Sequence, residues 1–128
     1  MKILIIEDDK VALKTLQYSL EGLGHNVCIA ENGEEAIQKT ANAKLDIIIS
    51  DAMMPGISGL SLIKVLRTMS HSKTPIIMMS ALNNKPLQDA ALEAGADDFI
   101  SKPFSMEEIT KVLKNSTRAV SRFSLAFA

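Results

Sequence analysis

The stretch IIISDAMMPGISGL, residues 47–60, carries an apolar run into Asp51 and then breaks at Pro55 and Gly56. An uninterrupted apolar run of strand length, closed by turn residues, reads as a strand covered on both faces. A strand of that kind ending on a carboxylate raises a chemical question, because the charge stands at the edge of a core.

The same pattern recurs on either side. KILII (2–6), NVCIA (26–30), DIIIS (46–50), PIIMMS (75–80) and DDFIS (97–101) read as strands. Val11, Leu13, Leu16, Leu20 and Leu23 recur at helical spacing between the first two, as do Leu60, Leu62, Ile63, Leu66 and Met69 before the fourth. Asn32 with Glu35, and Ser105 with Glu108, have the form of helix N-caps backed by an acid. Gly24 and Gly95 stand where a left-handed residue would end a helix. Pro86 fits the first turn of a helix starting near Asn83, and Ile109, Val112 and Leu113 supply the apolar face of the last helix. Strands alternating with helices through short loops predict an α/β, doubly wound fold with right-handed crossovers and a five-stranded parallel sheet covered on both faces.

Length and composition bound the function. At 128 residues, 47% hydrophobic and 23% charged, the chain has room for one globular domain, expected over 1–117, with 118–128 as a C-terminal tail or linker. A formal net charge of -1 provides no field to attract nucleic acid or an acidic membrane. Cys28 has no internal disulfide partner and sits between Val27 and Ile29, as a small buried hydrophobe would in a reducing compartment. The start MKILIIEDDK lacks the form of a signal peptide, and no run approaches a membrane span, so a cytoplasmic location is expected.

In open parallel sheets, function collects at the carboxyl ends of the strands. Asp51 follows the third strand, and Glu7, Asp8 and Asp9 follow the first. In the order 2-1-3-4-5 those strands are neighbours, so at least three acids meet at one corner. Two carboxylates ~4 Å apart repel by about 4 kcal/mol at an effective dielectric of 20, so such a corner holds a proton or a cation. Oxygen-only ligands suit Mg²⁺. Ser80 at the end of the fourth strand offers a hydroxyl and Lys102 after the fifth an ammonium, completing a phosphoryl-transfer set. The same residues have plain structural uses: Asp8 or Asp9 could cap the first helix, Ser80 could form a turn, and Lys102 could be a solvated loop residue.

Taken together, the acids in IIEDD (Asp8, Asp9), DAMMPGISG with Asp51, Pro55 and Gly59, MMSA with Ser80 and Ala81, and FISKPF with Phe99, Lys102 and Pro103 resemble the receiver domains of bacterial two-component response regulators. The resemblance runs over about residues 2–116 and implies the flavodoxin-like (βα)5 fold. It implies that Asp51 accepts a phosphoryl group from a sensor histidine kinase or phosphotransfer protein. It also implies that Asp9 and Asp51 bind Mg²⁺ (or Mn²⁺) directly, Asp8 through water, and Met53 through its backbone carbonyl. Lys102 would bridge to Asp51 and the phosphoryl group, Ala81 would leave room for that group, and Ser80 and Phe99 would act as switch residues. Gly59 would let the loop turn, and Lys102–Pro103 would be a cis peptide. The output would be an effector protein or a C-terminal output domain, reached through helix four, strand five and helix five, with the domain a monomer or a phosphorylation-dependent dimer that binds no nucleic acid or membrane itself.

Three positions depart from the commonest pattern of that family. Phe99 lacks the hydroxyl that many relatives carry there, and Met53 has no group to orient a water for hydrolysis; Leu82 is bulky enough to shield the same site. Met53, Met54, Met69, Met78 and Met79 read as core and loop packing, His25 and His71 as ordinary strand-entry and loop residues, and Asp97–Asp98 as a solvated strand entry. The tail RAVSRFSLAFA (118–128) is basic and apolar without sustained period, as a frayed end or linker would be, a helical docking extension being the alternative. Three other functions compete: a receiver-like interaction module that never takes phosphate, an aspartyl-nucleophile phosphatase, which usually needs a second acid where Met53 stands, and an FMN binder, which the acidic first loop disfavours.

Overall fold

The computed structural model describes residues 1–41, 43–69, 71, 73–82 and 84–126, with 118–126 as helix backbone. Strands β1 (Lys2–Ile6), β2 (Asn26–Ala30), β3 (Ile47–Asp51), β4 (Ile76–Ser80) and β5 (Asp98–Ser101) alternate with helices α1 (Lys10–Gly22), α2 (Gly33–Thr40), α3 (Gly59–Thr68), α4 (Lys85–Ala94) and α5 (Met106–Ala126). The strands form one parallel sheet in the order β2-β1-β3-β4-β5, the doubly wound arrangement expected.

The two-residue period of the strands divides the core. Leu4, Ile6, Ile48, Ile76 and Met78 face α2, α3 and α4, where Ala36, Leu62, Ile63, Leu66 and Ala91 are buried. Ile3, Ile5, Ile47, Ile49, Ile77 and Met79 face α1 and α5, meeting Leu13, Leu16, Leu20, Ile109 and Leu113. Each fully buried side chain of this size contributes roughly 1.5–3 kcal/mol relative to exposure, which is why the strands tolerate so few polar residues before their carboxyl ends.

The caps follow the sequence closely. The Asn32 side chain accepts from Glu35 N at 2.8 Å, and Ser105 Oγ accepts from Glu108 N at 3.1 Å. Gly24 and Gly95 have φ of 92° and 120°. The cap of α4 is Asn84, whose side chain accepts from Leu87 N at 2.9 Å, with Pro86 in the first turn; Asn83 lies outside the described residues. The helix α5 continues through 118–126, the segment expected to be a tail or linker.

At the amino end of the sheet the structure corrects two sequence expectations. Asp97 is not merely solvated: its Oδ2 accepts from Ile76 N at 2.8 Å and from Arg67 Nη2 at 2.7 Å. Arg67 also donates to the carbonyls of Gly95, His71 and Thr74, so one guanidinium joins the end of α3, the α3–β4 loop, the end of α4 and the entry to β5. A Cβ on Gly95 would stand 2.9 Å from Arg67 Cγ, so glycine serves both the backbone angle and the arginine. His71 is buried, not an open loop residue, and its Nε2 donates to Thr40 O at 2.8 Å, tying α2 to the same loop.

Because Arg67 satisfies several carbonyls at once, Arg67→Met leaves them unpaired. Its unfolding free energy is expected to fall by about 2 kcal/mol, read as a lower urea midpoint with an unchanged slope; an unaltered midpoint would show the clasp to be energetically idle.

Candidate functional site

Parallel pairing of β1 with β3 places Ile6 beside Ser50, so Glu7 and Asp51, the residues that follow them, stand side by side. Asp51 is the last residue of β3 and is still paired, opposite Met79 of β4. The strand thus carries its carboxylate to the end of the ladder, one residue beyond the expected 46–50. Asp51 is only 7% exposed and Glu7 only 2%. Carboxylate oxygens of Glu7, Asp8 and Asp51 all lie within 4.8 Å of one another.

Lys102 enters this corner from β5. Its backbone N–H donates to Ser80 O at 2.8 Å, fixing the strand end, and the Lys102–Pro103 bond that follows is cis. The ammonium Nζ lies 2.6 Å from Glu7 Oε1 and 3.6 Å from Asp51 Oδ1. Asp51 Oδ1 also accepts from Met53 N at 3.4 Å. Ser80 is buried at the end of β4, its Oγ accepting from Leu82 N at 3.0 Å. Ala81 follows it into the cleft, and Phe99, half-buried, pairs with Met78 and packs on the α2–α3–α4 face.

One ammonium does not balance this concentration of acid. Burial pushes the Glu7 carboxyl up to about 7, reinforced by the nearby Asp51 carboxylate and its charge, while Lys102 pulls in the opposite direction. The second Glu7 oxygen, Oε2, is buried without a partner among the described residues. A shared proton satisfies such a pair, and so does a cation. Three carboxylates with an orphaned oxygen, and no nitrogen or sulfur donor among them, fit a hard divalent ion such as Mg²⁺.

The acids brought together differ by one position from the set expected. Asp8 and Asp51 are in the cluster, but the Asp9 side chain turns away: its Oδ1 accepts from Val11 N at 2.9 Å and from Ala12 N at 3.2 Å, forming the N-cap of α1. Glu7 occupies the inner position instead. The signal was present in the helix start: with α1 beginning at Lys10, the acid just before it is committed to free N–H groups, and the acids one and two residues earlier remain for the pocket. The other expected residues, Ser80, Ala81, Lys102 and the Met53 backbone, lie around the same corner. Gly59 is not the turn residue; Gly56, at φ 81°, makes the turn.

Beside Glu7 and Lys102 opens a cleft of about 510 Å³ between α1 and the β5–α5 loop, with Ala12, Leu16, Phe104 and Met106 on its walls. Among the described residues, no helix is long and apolar enough to cross a membrane.

Residues 3–114 match the family described as the response regulator receiver domain. The chain belongs to that family. It is 38% identical over 113 residues to the alkaline phosphatase synthesis transcriptional regulatory protein PhoP of Bacillus subtilis, covering 88% of this chain and 47% of PhoP. The chemotaxis protein CheY4 of Vibrio cholerae superposes with a TM-score of 0.87 at 30% identity, over 90% of this chain and 97% of CheY4. The receiver domain of the sensor histidine kinase PA1611 of Pseudomonas aeruginosa, solved with a magnesium ion coordinated in the active site cleft, gives 0.84 at 26% identity, over 91% of this chain and 96% of that one. The chain spans about half the length of the curated relatives it matches. It is therefore a receiver domain of two-component signalling, a signalling module by family.

The raised Glu7 carboxyl has a consequence for stability. Between the ordinary carboxylate value of 4.5 and about 7, the folded chain holds a proton that the unfolded chain has released. Stability from this group is complete below 4.5 and declines as pH rises through about 7. With divalent ions chelated, the urea midpoint is expected to fall between pH 5 and pH 8 in the native protein and to fall less in Glu7→Gln. Equal pH slopes would contradict the assignment.

Proposed function

We propose that this receiver domain is a phosphorylation switch in which Asp51 is the phosphoacceptor. The observation that carries the reading is a buried carboxylate at the end of β3, with Lys102 Nζ 3.6 Å from its Oδ1 and two further acids against it. An Asp51 oxygen attacks the phosphorus of a phosphohistidine, the P–N bond breaks, and the electron pair returns to the imidazole, which takes up a proton. Lys102 then exchanges part of its pairing with Glu7 for the new phosphoryl oxygens. Glu7, Asp8, Asp51 and the Met53 carbonyl would hold Mg²⁺, with Mn²⁺ as a substitute; the ion supplies charge neutralisation at the phosphoryl oxygens. The direct metal role expected of Asp9 passes to its neighbours, because Asp9 is engaged in the α1 cap.

The donor is a sensor histidine kinase or phosphotransfer protein, for which the cleft between α1 and Phe104, opening beside Glu7 and Lys102, offers a docking surface next to the acidic corner. After transfer, Ser80 gives up its contact with the Leu82 N–H to donate to the phosphoryl group, Ala81 leaves room for it, and Phe99 follows inward. The surface of α4, β5 and α5 is thereby biased toward an effector or an output domain. Relatives about twice as long support a further domain in the complete regulator. The module turns over no external substrate beyond its own phosphodonor. It acts in the cytoplasm, as a monomer or as a dimer formed on phosphorylation, without contacting nucleic acid or membrane itself.

Incubation with Mg²⁺ and acetyl phosphate is expected to add one labile phosphoryl group by intact mass, absent in Asp51→Asn and lost on chelation. No adduct with any small donor would favour a silent interaction module, whereas steady hydrolysis of generic phosphate esters would favour a phosphatase.

Met53 is 59% exposed and Leu82 49%, both apolar and both two residues beyond a site residue, Asp51 or Ser80. Neither orients a water toward phosphorus, so the phosphoryl group is long-lived. Met53→Asn is expected to shorten its lifetime several-fold, as followed by loss of the mass adduct after removal of donor; an unchanged lifetime would remove the apolar rim from the account.

A further inference from the structure

We infer that Gly59 is a positioning residue for Asp51: the missing side chain lets the first turn of α3 rest directly on the backbone that carries the carboxylate. This rests on the reading of Asp51 as the phosphoacceptor. Gly59 is the first residue of α3, after the Ser58 cap, and its N–H donates to Ala52 O at 3.2 Å. A Cβ built there would stand 2.3 Å from Asp51 O, 2.8 Å from Ala52 Cα and 3.1 Å from Ala52 O. These are backbone atoms, not the mobile end of a side chain, and no rotamer change can relieve them. Positive φ is not the reason for glycine here, since that conformation falls on Gly24, Gly56 and Gly95.

The obstructed atoms have little freedom to yield. Asp51 is paired with Met79 in the ladder, its carbonyl accepts from Ser50 Oγ at 3.2 Å, and Ala52 N donates to Met79 O at 2.9 Å. On the other side, α3 is held by Leu62, Ile63 and Leu66, all buried in the core. A methyl group at position 59 must therefore move the end of β3 or lift the first turn of α3. Restoring an ordinary 3.4 Å contact takes a separation of about 1 Å at the Asp51 carbonyl. The same peptide segment continues to Met53, whose N–H meets Asp51 Oδ1, so the shift reaches the carboxylate and its surroundings. Displacement on this scale at a reacting group costs on the order of a hundredfold in rate.

The test compares the native chain, Gly59→Ala and Ser58→Ala. Ser58→Ala removes the cap bond to Ser61 N and weakens the same helix without placing an atom against Asp51. Each is checked for folding by circular dichroism, for Mg²⁺ affinity by calorimetry, and for the rate of phosphorylation by acetyl phosphate at saturating Mg²⁺. Gly59→Ala is expected to fold, to bind Mg²⁺ several-fold more weakly, and to be phosphorylated at least tenfold more slowly. Ser58→Ala is expected to melt at lower temperature yet stay within twofold of native in affinity and rate. Native-like affinity and rate in Gly59→Ala would overturn the inference, as would an equal loss in Ser58→Ala. Failure of Gly59→Ala to fold even with trimethylamine N-oxide would do the same, by marking the glycine as a residue of the fold alone. Failure of the native chain to take phosphate would instead refute the phosphoacceptor reading, and Mg²⁺ affinity would still report whether Gly59 positions the acids.

Discussion

Crowding of negative charge at the joined ends of β1 and β3 is the constraint around which this molecule is arranged. Glu7 and Asp51 are both withdrawn from water and lie close enough that burial and mutual repulsion oppose double ionisation. Lys102 answers only part of that charge, and it does so chiefly at Glu7, with Asp51 a full ångström farther away. The resting corner therefore has spare capacity for positive charge and one orphaned oxygen. A site built this way responds strongly to a cation or to a change in charge on Asp51, because the low-dielectric surroundings magnify both.

The two ends of the sheet use buried polarity in opposite ways. At the amino end, Arg67, Asp97, His71 and Thr40 form a network in which cation, carboxylate, imidazole and carbonyls meet partners of the opposite character. Such a network stabilises one arrangement and offers no chemistry. At the carboxyl end, like charges are collected and one acceptor is left unmatched. The clasp secures α3, α4 and β5 at the end remote from the acids, while the loops at the acidic end carry the exposed Met53 and Leu82.

Much of this was legible in the chain itself. Apolar runs of strand length, cap residues at Asn32 and Ser105, and glycines at helix ends specify local structure through short-range sterics and hydrogen bonding, so their readings hold within a residue or two. The acids show the limit of that approach. Asp8 and Asp9 look alike in sequence, and their roles separate only once α1 begins at Lys10 and draws the nearest carboxylate to its own N–H groups. Glu7, beside them, has its carboxyl raised by burial because it is the first residue past a strand with neighbours on both sides. Asp97 was underestimated for the converse reason: its partners, Arg67 and the Ile76 N–H, are 30 and 21 residues away.

What the chain determined by itself was the alternation of strands and helices and the types of group delivered to the strand ends, since these depend on periodicity and on residues near in sequence; the strand order is what the resemblance to receiver domains implied. Tertiary structure alone decided which carboxylates share the pocket, how far Lys102 stands from each, and why position 59 has no side chain. Those are matters of distance between segments dozens of residues apart, where a single ångström separates a hydrogen bond from a gap or a contact from a clash.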